Sequence, residues 1–288
     1  MAPTPAFGER LARACDRYGR LCVGIDPHDE SLDDWGLPHD VAGLERFARG
    51  LVEALAGQVG VFKPQSAFFE AYGPDGLVVL RRVLADIAEA GALSLLDVKR
   101  GDIGSTMAAY ARAYLSDDGP LRADAITASP YAGFGALAPA IETAAATGRG
   151  VFVLARTSNP DGKTVQAARD AGGGTVAQAI IDAAGRANAA LGGPVVGVVV
   201  GATHADLGVD LSGFGGWVLA PGLGAQGGRP EDLVRLFGDA LPRVLPSASR
   251  EVARAGADRT LLGSRVAALR VACAAPAPHH HPGPDSSG

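Results

Sequence analysis

The feature that most constrains this chain is a repeated alternation. Eight short apolar segments are separated by stretches with helical spacing of apolar residues. The segments are Leu21–Ile25, Val59–Lys63, a run opening at Leu93, Ala123–Thr127, Val151–Ala155, Val195–Val200, Trp217–Ala220 and Arg243–Pro246. Between and around them, Phe7–Tyr18, Asp40–Ala56, Gly76–Ala90, Thr106–Leu115, Thr175–Leu191 and Thr260–Cys273 read as helices. Strands alternating with helices imply parallel pairing, because a parallel connection needs a long crossover. Eight such units predict an α/β fold, a single (β/α)₈ TIM barrel. The length of 288 residues suits one large barrel or two smaller domains, and no linker interrupts the body. We therefore expect one barrel domain over residues 1–273. Residues 274–288 are mainly Ala, Pro, His, Gly and Ser and are expected to be a disordered tail. A solvated tail accounts for His279, His280 and His281 better than a metal site does.

Composition narrows the function. Net charge is −5 and the isoelectric point about 5.7, so there is no basic field for nucleic acid. No apolar run is long enough to span a membrane, and the N-terminus has no apolar signal core. Cys15, Cys22 and Cys273 lack metal-ligand spacing and fit reduced thiols in a cytoplasmic protein.

The strand ends carry the chemistry. Enzymes of this architecture place their reactive groups where the strands finish. The first segment ends in Asp26 and the second in Lys63. The third passes from an apolar run into Asp97-Val-Lys99-Arg-Gly-Asp102-Ile. Side chains alternate along a strand, so Leu93, Leu95, Asp97 and Lys99 share a face. A lone Asp-x-Lys is usually a surface salt bridge, and a lysine ending a strand is usually solvated. Three charges at fixed spacing between a buried strand and a helix are more specific. Ser105 or Thr106 can cap that helix. The fifth segment ends in Arg-Thr157-Ser158-Asn-Pro. The Gly-rich loop from Pro160 to Gly174 reads either as a mobile lid or as a disordered excursion.

The last two strand ends suit an anion. Gly222, Gly224, Gly227 and Gly228 allow backbone amides to approach a phosphate closely. Gln226 adds a side-chain donor, and Arg250 can pair with phosphate in a bidentate way.

Together these motifs resemble the orotidine 5′-phosphate decarboxylase family, in its longer-chain bacterial branch. The resemblance runs from about Phe7 to Cys273. It rests on Gly-Ile-Asp-Pro-His, Phe-Lys-Pro-Gln-Ser-Ala-Phe-Phe-Glu, Asp-Val-Lys-Arg-Gly-Asp-Ile-Gly-Ser-Thr, Arg-Thr-Ser-Asn-Pro and Pro-Gly-Leu-Gly-Ala-Gln-Gly-Gly. Val98 stands where many relatives carry Ala, and alternation points it to the opposite face. The resemblance implies decarboxylation of orotidine 5′-phosphate to UMP without cofactor or metal. It implies Lys99 as proton donor to C6 of the pyrimidine, with Lys63, Asp97 and Asp102 completing a charged array. It places Asp26 and Thr106 near the ribose, Ser158 (or its neighbour Thr157) at the pyrimidine, and Gln226, Gly227, Gly228 and Arg250 at the phosphate. It also implies a homodimer in which Asp102 reaches the partner's site. The rivals are Mg²⁺-dependent keto-gulonate phosphate decarboxylases and hexulose phosphate synthases, which carry an acid where this chain has Lys63. A non-catalytic phosphosugar-binding barrel is the rival from another class.

Overall fold

A computed structural model describes residues 5–274. Eight strands close a barrel in sequence order: β1 (Cys22–Ile25), β2 (Val61–Pro64), β3 (Leu93–Arg100), β4 (Ala125–Ala128), β5 (Gly150–Arg156), β6 (Val196–Val200), β7 (Val218–Pro221) and β8 (Val244–Ala248). Every neighbouring pair is parallel, and β8 returns to β1 through Cys22–Ser247 and Val23–Ala248. The expected (β/α)₈ barrel is therefore the fold. Residues 275–288 of the expected tail, with His279, His280 and His281, lie outside the described residues.

Several strands begin later than their apolar runs. Leu21 and Val59 are buried at 3% exposure yet precede the paired residues. Apolar character marks burial, whereas strand pairing also needs a backbone partner, so the two boundaries differ.

Alternation splits the core into two layers. Outward-facing residues such as Val23, Phe62, Leu96, Val98 and Val198 pack against the helices. Inward-facing Cys22, Val61, Leu93, Leu95, Ala125, Phe152, Val199, Leu219 and Leu245 fill the barrel. Helix α1 (Phe7–Tyr18) closes the floor. Phe7, Leu11 and Cys15 recur at four-residue spacing, so they share one face and join the inner cluster. Phe7 meets Phe152 edge-on, with ring centroids 6.0 Å apart. Arg10 latches α1 in place, donating to Asp124 at 2.5 Å and to the Gly148 carbonyl at 2.9 Å. Asp124 in turn accepts from the Ser94 amide and hydroxyl, which ties β3 to the segment entering β4.

Two local expectations change. The helix after β3 spans Gly104–Leu115, and its N-cap is Ile103 with no side-chain cap. Ser105 and Thr106 therefore lie inside the first turn. Gly104, at φ 50°, lets the chain turn into the helix earlier, and Asp102 Oδ1 accepts the Ile103 N–H at 2.8 Å. The Pro160–Gly174 segment is built rather than structureless. It contains a 3-10 turn at Pro160–Gly162 and a helical turn at Lys163–Gln166. Gln166 is tied at both ends of its amide to Thr157.

Candidate active site

The mouth of the barrel opens on a cavity of about 540 Å³. Its floor is set by β3. Leu93 and Leu95 belong to the apolar interior, and Asp97 is the next inward residue. Asp97 is buried at 7% exposure, and four donors hold its carboxylate. Oδ1 accepts from Lys99 Nζ at 2.6 Å and Thr127 Oγ1 at 2.8 Å. Oδ2 accepts from Gln65 Nε2 at 3.0 Å and Lys63 Nζ at 3.2 Å.

Burial alone would disfavour both charges, raising the Asp97 pKa and lowering that of Lys63. The opposite happens. For Asp97, the cost of burial is outweighed by Lys63 and Lys99, which hold the carboxyl well below its usual range. For Lys63, burial is outweighed by Asp97 and Asp26, which push its ammonium above the usual lysine value. Lys63 is therefore a buried, charged lysine at 6% exposure. A solvated strand-end lysine is not what the fold makes of it.

Lys99 reaches Asp97 by a route that simple alternation does not supply. The register of β3 against β4 shifts between Leu96 and Arg100. Lys99 itself has φ 46°, alone among the described non-glycine residues in being positive. A left-handed conformation costs a side-chain-bearing residue about 1–3 kcal/mol and tends to persist where function needs it. Val98 turns to the outer core at 5% exposure, as expected.

Asp26, Ser158, Gln226 and Arg250 line the same cavity. Asp26 Oδ1 is buried without a hydrogen-bond partner, so the wall holds an unspent acceptor suited to a hydroxyl. Ser158 Oγ donates to Gln226 Oε1 at 2.9 Å, linking the β5 and β7 loops across the cavity. Thr157 also lines it, but its hydroxyl is spent on Asn159 and Gln166. Gly227 and Gly228 do not line the cavity. Their amides donate inside the loop, to Gly224 O at 2.8 Å and Gly222 O at 2.9 Å. In this conformation they shape the loop that presents Gln226. Asp102 and Thr106 also stand outside the cavity wall. Asp102 is half-buried and Thr106 exposed at the start of the following helix.

Sequence reasoning did not select Gln65, Thr127, Asn159 or Gln166, all of which line the cavity. Gln65 follows the end of β2, which is the signal that could have flagged it, whereas Thr127 lies within β4. Asn159 stands in the Arg-Thr-Ser-Asn-Pro run after β5, and Gln166 comes from the loop that read as a lid or an excursion.

The fold and site define a (β/α)₈ barrel with an ammonium–carboxylate array at its mouth, beside a glycine-rich loop. The model of the orotidine 5′-phosphate decarboxylase / HUMPS family matches residues 19–261, and the chain belongs to that family. A protein of Salinispora arenicola named orotidine 5′-phosphate decarboxylase is 58% identical over 270 residues, covering 93% of this chain and 94% of that protein. One of the same name from Streptomyces coelicolor is 53% identical, covering 92% and 95%. A crystal structure from Streptomyces avermitilis, described as a candidate orotidine 5′-phosphate decarboxylase, is 51% identical with TM-score 0.90, covering 94% and 95%.

Proposed function

We propose that this chain decarboxylates orotidine 5′-phosphate to UMP, the last step of de novo pyrimidine nucleotide synthesis, using no metal or organic cofactor. The observation that carries the reading is Asp97 held between Lys63 and Lys99 at the base of the cavity. Loss of CO₂ from C6 leaves an electron pair that the pyrimidine ring delocalises poorly. Such an anion needs electrostatic stabilisation already in place. Lys99 is the proton donor: its ammonium faces the developing charge and then protonates C6. Asp97 keeps Lys99 aligned and stands beside the departing carboxylate. Lys63 keeps Asp97 ionised in a buried site.

The substrate's remaining groups have partners in the same cavity. The unpaired Asp26 Oδ1 takes a ribose hydroxyl. Ser158, already bonded to Gln226, contacts the pyrimidine. Gln226 and Arg250, with the loop shaped by Gly227 and Gly228, hold the phosphate. Binding energy gained there, away from C6, helps position the reacting ring.

The Mg²⁺-dependent relatives are disfavoured by Lys63. A buried ammonium replaces the acid that would bind a cation, and it repels one. A steady-state assay with orotidine 5′-phosphate, with and without EDTA, tests the reading. UMP should form at the same rate in both. Activity lost to EDTA and restored by Mg²⁺ would move the chain to the rival branch.

We propose further that residues 1–273 act as one catalytic domain of a cytoplasmic homodimer. Asp102 and Thr106 lie outside their own cavity wall, which leaves them free to serve the partner's site. Mixing the inactive variants Lys99→Ala and Asp102→Ala should then restore activity, because one site of a mixed dimer is whole. Confirmed subunit exchange without recovered activity would place Asp102 in its own chain.

A further inference from the structure

β3 and β4 fall out of step at the cavity. Leu96 pairs with Ile126 and Arg100 with Ala128, so three β3 residues face a single β4 residue. That residue is Thr127, which is 1% exposed. Beyond it the strands rejoin, with the Ser129 N–H donating to Arg100 O at 2.8 Å. A bulge of this kind leaves an amide without its ladder acceptor. Here the amide is that of Lys99, and the Thr127 hydroxyl accepts it at 2.9 Å. The same hydroxyl donates to Asp97 Oδ1 at 2.8 Å. One oxygen atom can do both, because a hydroxyl has a single donor and two lone pairs.

We infer that Thr127 is a positioning residue for the reaction, fixing the backbone of Lys99 and the carboxylate of Asp97 to each other; this rests on the decarboxylase reading above. Three observations converge on it. Lys99 holds a left-handed backbone that needs outside support, at φ 46°. Its ammonium reaches Asp97 Oδ1, the same oxygen that Thr127 holds, at 2.6 Å. Thr127 bonds the amide of one partner and the carboxylate of the other, so neither can shift without breaking a bond to it. Remove the hydroxyl and Lys99 is free to relax toward ordinary strand geometry. Its ammonium then leaves the line to C6, while Arg250 and Gln226 still hold the phosphate.

The two roles open to Thr127 separate cleanly. If its role is only structural, Thr127→Val should cost stability by leaving the Lys99 amide unpaired while kcat stays within about threefold of wild type. If it positions, Thr127→Val should lower kcat by about 100-fold, the cost of a small misplacement of a reacting group. KM and the Kd for UMP should then stay within about threefold, because the binding contacts lie elsewhere. Thr127→Ser, which keeps the hydroxyl, should recover kcat to within about tenfold of wild type. A Thr127→Val enzyme with kcat within about threefold of wild type would overturn the inference. So would parallel losses of kcat, UMP affinity and thermal stability with no recovery by serine. Should the valine variant not fold, Thr127→Cys serves in its place. It keeps a γ atom of similar size that hydrogen-bonds weakly, and the same split between kcat and KM is expected. Wild-type turnover is the control: an inactive wild type would sink the decarboxylase reading itself, which differs from an active wild type and a valine variant of undiminished kcat.

Discussion

At the floor of the barrel, Phe7, Leu11, Phe152 and Trp217 belong to one apolar cluster. At the mouth, β2 and β3, which give Val61, Leu93 and Leu95 to that cluster, carry Lys63, Asp97 and Lys99. β3 crosses from one regime to the other between Leu95 and Asp97. The floor is held by non-directional contacts spread over many atoms, so it stabilises the fold and tolerates small shifts. The mouth is held by a few directional bonds around a buried charge and by a strained backbone at Lys99. A strand can place a charge in its own core only where donors surround it, and here four of them surround Asp97. Apolar packing and the buried polar cluster are thus separated along the length of a single strand, β3.

Substitutions at the two ends should separate the same way. The largest effect is expected at the mouth. On the proposed mechanism, Lys99→Ala should lower kcat by roughly 10⁴-fold or more, since it would remove both the proton and the charge that meet the anion. Its UMP affinity should stay within about threefold, as measured by calorimetry, because the phosphate contacts are untouched. Near-normal turnover would assign the proton to another group. Next comes the floor. Phe152→Ala should lower the free energy of unfolding by about 3–5 kcal/mol in urea titrations. Below its transition, kcat should remain within about threefold of wild type, because Phe152 does not line the cavity and bonds none of its charged groups. A folded Phe152→Ala enzyme with collapsed turnover would break the separation.

The smallest effect sharpens the comparison through pH. The folded pKa of Asp97 is depressed, so its contribution to stability is present above the unfolded carboxyl value of about 3.9. It is lost as pH falls through the lower folded value. Lys63 is raised, so its contribution is present below the ordinary lysine pKa and lost only as pH climbs through the higher folded one. The stability gap between wild type and Asp97→Asn should therefore be flat near neutrality and narrow below about pH 4. Unfolding titrations of both proteins across the acid range measure it. A gap that stays constant to pH 3 would mean that Asp97 is not held ionised by its neighbours.

Most of the fold was legible in the sequence because burial writes itself into apolar periodicity. The helix at Phe7–Tyr18 was visible from its spacing, yet its place beneath the barrel was not, since its partners on β5 and β8 are far off in the chain. Asp26, Lys63, Asp97, Lys99, Ser158, Gln226 and Arg250 were legible as polar groups at strand ends, and all line one cavity. Thr127 was not, because a threonine closing an apolar strand reads as an ordinary β-branched residue. Its importance depends on a register shift that no local pattern encodes. The amides of Gly227 and Gly228 were read as free anion donors, whereas the loop uses them to brace itself.

The floor helix has a consequence for how the molecule is made. Phe7 and Leu11 are made before any strand of the barrel, but the pocket that receives them is not complete until Trp217 and Leu245 have been synthesised. Through most of translation these side chains have no native shelter. Contacts so distant in sequence slow folding, and apolar surface left waiting is prone to aggregation. A segment made ahead of the strands thus docks only after the last of them, and nascent chains of this protein should depend on protection of this helix until the final strand emerges.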